Sequence, residues 1–140
     1  MKTKLLTGLL FALAAPAFAG ETVTVYRALG CVCCDNYVDY LKSNGFDVTT
    51  IDDAQFQDRA IAAGVPKEGL GCHLAMIDGY VVSGLVPVEI INRLIADKPE
   101  ITGITLPGMP GNAPGMSDAK TGTLKVYAFA PTGVTVYSNE

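Results

Sequence analysis

The dipeptide Asp78-Gly79 constrains the architecture of this chain more than any other feature. It stands between two short apolar runs, residues 74–77 and 80–83, and Asp-Gly in that setting signals a two-residue antiparallel hairpin. The chain before it reads differently. Residues 21–26 alternate at period two, as a half-buried strand does. Residues 35–44 put Tyr37, Val38 and Leu41 at helical spacing, and Asn44-Gly45 supplies a left-handed cap. Residues 46–51 form a second strand. Asp52 and Asp53 offer an N-cap to a second helix, whose stripe of Phe56, Ala60 and Ile61 ends at Ala63-Gly64. After the hairpin, Pro87 opens a third helix with Val88, Ile91, Leu94 and Ile95 on its core face, and Pro99 stops it beyond Asp97. Strands joined through helices run parallel and the hairpin adds antiparallel ones. The expectation is an α/β fold with a mixed sheet flanked by helices.

The order strand, helix, strand, helix, hairpin, helix is similar to that of thioredoxin-like proteins. Residues 106–116 then break the regular pattern with Pro, Gly and Asn, and residues 124–137 read as a small terminal β-hairpin added to the core. Residues 1–19 read as a secretory signal peptide: Lys2 and Lys4, an apolar stretch over 5–15, and Ala17-Phe18-Ala19 as the cleavage site. Its removal leaves 121 residues, 20–140, as a single domain with 8 basic and 14 acidic side chains, a formal charge of −6. That charge argues against nucleic-acid binding, and no second apolar stretch is long enough for a membrane span. The form of the signal suits a bacterial periplasm.

The chemistry concentrates in two places. Cys31-Val32-Cys33-Cys34 puts three thiols within four residues at the predicted strand-to-helix junction, where a helix N-terminus favours thiolate. Cys31 and Cys34 have redox C-x-x-C spacing, with Cys33 as an extra thiol. Cys72-His73 lies just before the hairpin, in the segment that faces the C-x-x-C helix in thioredoxin-like folds. Pro66 comes too early for the proline usual there. On the thioredoxin-like arrangement, Cys31, Cys33, Cys34, Cys72 and His73 converge. Thiolate and imidazole suit zinc and copper, and crowded thiolates suit several bridged Cu(I) ions better than one tetrahedral zinc. A third feature, residues 107–116, carries Pro-Gly-Met at both ends, and its thioethers Met109 and Met116 are candidate Cu(I) ligands or loop packing.

Other readings of the same residues stay open: two structural disulfides, a Cys31–Cys34 thiol–disulfide oxidoreductase, a structural zinc site, or a passive copper store or metallochaperone. Met76 reads as core, and Tyr26, Tyr37, Tyr40 and Phe46 as core or surface aromatics.

Cys31-Val32-Cys33-Cys34, Gly64-Val65-Pro66, Gly71-Cys72-His73, Asp78-Gly79-Tyr80, Val86-Pro87 and the 107–116 loop together resemble the CopG-type family of exported thioredoxin-like proteins associated with bacterial copper resistance. The resemblance implies copper, more than one ion, bound by Cys31, Cys33, Cys34, Cys72 and His73, with Met109 and Met116 matching the family's loop. It also implies a role in handling or interconverting Cu(I) and Cu(II), and periplasmic copper-handling or redox proteins as partners. The chain departs from the family in three places. It has Val32 where Gly is frequent, Ala28-Leu29-Gly30 where a Pro is frequent, and Leu85 where many members carry His.

Overall fold

The computed structural model describes residues 20–140; the signal segment expected over 1–19 lies outside the described residues. The elements run β1 (Thr22–Arg27), α1 (Val32–Ser43), β2 (Asp47–Asp52), α2 (Phe56–Ala62), β3 (His73–Ile77), β4 (Tyr80–Ser83), α3 (Val88–Asp97), β5 (Gly103–Thr105), β6 (Lys125–Ala130) and β7 (Gly133–Asn139). The strands form a seven-stranded mixed sheet in the order β2-β1-β3-β4-β5-β6-β7. β1 pairs parallel with β2 and β4 with β5, and the remaining neighbours are antiparallel. The thioredoxin-like α/β expectation holds.

Period-two alternation divides the strand side chains between two faces. Val23 and Val25 of β1, Ala75 and Ile77 of β3, Val82 of β4 and Val126 of β6 face one core, closed by Tyr37, Val38 and Leu41 of α1 and by Val88, Ile91 and Leu94 of α3. Leu74, Val81 and Phe129 face the other side, where Ala60 of α2 and Val65 cover them, with Tyr26 and Met76 partly buried against the same cluster. The two faces explain why the central strands read as nearly continuous apolar runs.

The Asp78-Gly79 turn has positive φ at both residues, 46° and 80°, which is what a type I′ hairpin requires. Three expectations need correction. α1 begins at Val32 rather than Asp35, so Cys33 and Cys34 lie in its first turn. Asp52 closes β2 instead of capping α2; Asp53 accepts the Gln55 amide at 2.9 Å and holds Arg59 Nε at 2.6 Å. The terminal hairpin continues the main sheet, because β5, absent from the sequence reading, pairs with both β4 and β6. β5 has three residues, too few for a periodic signal. Its first, Gly103, lies where a Cβ would run into the Val81 carbonyl and the Phe129 ring, so only glycine lets these strands approach.

Candidate metal centre

Strand register brings the two cysteine segments together. Arg27, the last residue of β1, is paired with His73, the first of β3, and α1 starts a short loop beyond β1. The start of α1 therefore lies beside Cys72. A Cβ on Gly71 would lie 2.3 Å from Gly84 Cα, so only glycine packs there, and the Gly71 amide donates to Ser83 Oγ at 3.1 Å. These contacts seat the Cys72 segment on the end of β4.

Cys31 occupies the N-cap position of α1, where its carbonyl accepts the Cys34 and Asp35 amides, each at 3.1 Å. Cys31 and Cys34 are joined by a disulfide, with Cα atoms 5.3 Å apart across one helical turn. Cys33 and Cys72 are free and partly exposed. All four sulfurs lie within 4.8 Å of one another. Cys33 Sγ is 3.4 Å from Cys31 Sγ, and Cys34 Sγ is 3.4 Å from the Cys72 carbonyl oxygen.

His73 adjoins this group through Cys72, whose Sγ is 3.4 Å from His73 Nδ1. Its place in β3 turns it to the α1 face, where the ring is wholly buried, 4.8 Å from the ring of Tyr37. Nε2 is buried without a hydrogen-bond partner. Burial holds the imidazole pKa down to about 4, so the ring is neutral. Burial, and then the neighbouring Cys33, push the Cys72 thiol up to about 12. Cys72 thus keeps its proton near neutral pH, and a bound cation would have to displace it.

The two Pro-Gly-Met copies diverge. The Gly108 amide donates to the Leu70 carbonyl at 3.0 Å and Gly108 bridges Gly71, which brings Met109 Sδ to 3.6 Å from Cys33 Sγ. Met116 instead lines a cleft of about 890 Å³ between α1, the start of α3 and the loop, with no cysteine in its lining. Gly115, at φ +87°, packs its backbone on the first turn of α1, where a Cβ would lie 2.8 Å from the Cys33 carbonyl oxygen. Leu85 is fully buried in the α1-side core.

Tyr37 belongs to this site although its sequence signal is only that of a core or surface aromatic. Its hydroxyl donates to the Val86 carbonyl at 2.6 Å, fixing the ring against which His73 packs. Helical spacing put Tyr37 on the buried face of α1, and the parity of His73 in β3 would have placed it opposite.

Cysteines clustered at a helix start on this sheet define a thioredoxin-like protein with a sulfur-rich centre. The model of a family described as a protein of unknown function, DUF411, matches residues 70–116. Two solved structures align across the chain. Copper resistance protein copG, form 2, is 30% identical, with 86% of this chain and 98% of that one covered at a TM-score of 0.79. Form 1 is 31% identical over the same shares, at 0.77. Curated protein sequences gave no match. The chain belongs to the CopG family of copper resistance proteins.

Proposed function

We propose that this is a periplasmic copper-binding protein of copper resistance, exported by cleavage of residues 1–19 and active as the single domain 20–140. The observation that carries the reading is the approach of four cysteine sulfurs to within 4.8 Å of one another. Four soft donors so close suit Cu(I), and thiolates shared between ions accommodate the neighbouring Cys33 and Cys34 in a polynuclear cluster. Met109 adds a neutral thioether beside Cys33. His73 lies outside that four-cysteine group but adjoins it, offering a neutral imidazole whose Nδ1 is 3.4 Å from Cys72 Sγ. Capture of Cu(I) requires Cys31 and Cys34 as thiolates, so the disulfide form offers half the sulfur set and the reduced form all of it. The thiolates favour Cu(I) and the imidazole also accepts Cu(II), which supports interconversion of the two. Among the described residues no helix is long and apolar enough to cross a membrane.

A second reading rests on the Cys31–Cys34 disulfide at the N-terminus of α1, the arrangement of a thiol–disulfide oxidoreductase. Copper titration of the reduced protein separates the two. Under the copper reading, Cys34→Ser and Cys72→Ser each lower the number of Cu(I) ions retained against a chelator. Full copper retention by both variants, with insulin reduction by the metal-free protein, would support the oxidoreductase instead.

A further inference from the structure

Only one pair of the four cysteines is bonded. Cys33 and Cys72 remain free, from different elements, with sulfurs inside the same 4.8 Å group. Their backbones are held on both sides. Cys33 lies in the first turn of α1, its carbonyl against Gly115, and Cys72 leads directly into β3 with its carbonyl beside Cys34 Sγ. Turning a cysteine between staggered rotamers moves its sulfur by roughly 3 Å. The Cys33 and Cys72 sulfurs are at most 4.8 Å apart, so a movement of that size is as large as the step to a disulfide bond of about 2.05 Å. Such a bond differs in kind from Cys31–Cys34, which spans one turn of one helix; it would tie α1 to β3.

We propose that Cys33 and Cys72 are the second redox couple of this site: a dithiol that reduces two Cu(II) ions to Cu(I) and closes to a disulfide. In that step each thiol loses a proton to solvent and an electron to one Cu(II). One sulfur–sulfur bond forms, and two Cu(I) ions result. Met109 Sδ, 3.6 Å from Cys33 Sγ, is a soft neutral donor ready for the Cu(I) produced. The half-oxidised protein thus still holds two electrons, and the four cysteines together store four. The choice of Cu(II) as oxidant rests on the copper reading above, whereas the pairing of Cys33 with Cys72 does not.

The test starts from protein carrying the Cys31–Cys34 disulfide, kept anaerobic, in two arms. One arm receives diamide, a two-electron oxidant, and no metal. The other receives two equivalents of Cu(II) with a colorimetric Cu(I) chelator. The pairing predicts that free thiols fall from two to none in both arms, that the chain stays monomeric, and that non-reducing peptide mapping finds Cys33 linked to Cys72. The copper arm should yield two chelated Cu(I) per chain. In Cys72→Ser that yield falls to one or less, and the remaining Cys33 forms covalent dimers. Cys33-linked dimers of the unsubstituted protein, or Cys33 exchanged onto Cys31, in the diamide arm would overturn the pairing. A Cys33–Cys72 bond with diamide but no Cu(I) in the copper arm would overturn Cu(II) as its oxidant.

Discussion

Replacing His73 with leucine should change how the stability of the metal-free protein depends on pH. The imidazole is fully buried, has one neighbour at Nδ1 and none at Nε2, and keeps a pKa of about 4 against an ordinary 6.5. Above pH 6.5 it is neutral both folded and unfolded, so it contributes no pH dependence there. Between pH 6.5 and 4 the unfolded chain takes up a proton that the folded chain refuses, and stability falls with pH. At about 1.4 kcal/mol per unit, the loss attributable to His73 reaches roughly 2–3 kcal/mol by pH 4.5. The native carboxylates with lowered pKa, including Asp53, Glu89 and Glu140, act mainly at lower pH and are common to both proteins. Urea unfolding of metal-free wild type and His73→Leu should give curves that diverge by that amount between pH 7 and pH 4.5, the variant being the flatter. Parallel pH profiles would refute the buried neutral imidazole.

Four other substitutions test separate parts of the structure. Tyr37→Phe leaves the buried Val86 carbonyl without its donor, and chemical denaturation should show a loss of about 1–3 kcal/mol with copper stoichiometry unchanged. Gly103→Ala drives a methyl into the Val81 carbonyl and the Phe129 ring; overpacking of this kind costs about 1–3 kcal/mol, and thermal unfolding should register it. Met109→Leu should weaken Cu(I) retention in chelator competition while Met116→Leu leaves it unchanged, because only Met109 reaches the sulfur group.

The parts legible in the sequence were those written in local chemistry. Asp78-Gly79 announces a turn that needs two residues at positive φ, and the turn is there. The meeting of Cys31, Cys33 and Cys34 with Cys72 followed from element order, since β1 and β3 are neighbours whose ends carry the two segments. What escaped was set by contacts between distant residues. β5 exists through its pairing with β4 and β6, and only Gly103 hinted at a close approach. Cysteines carry no helical stripe, so the start of α1 at Val32 was missed. The two Pro-Gly-Met copies are alike in sequence, and they part because Gly108 bonds to Leu70 while Gly115 docks on α1. The sequence leaves Tyr37 open between core and surface, and its burial against His73 is apparent only once the faces of α1 and β3 are opposed.

The central claim is that the four cysteines hold copper as a shared sulfur cluster. Its most direct test is X-ray absorption at the copper edge, with a measured copper-to-protein ratio, on fully reduced protein loaded with Cu(I). The account predicts more than one copper per chain, a coordination shell dominated by sulfur, and backscattering from a second copper. One copper or fewer per chain, in a shell of nitrogen and oxygen, would contradict it.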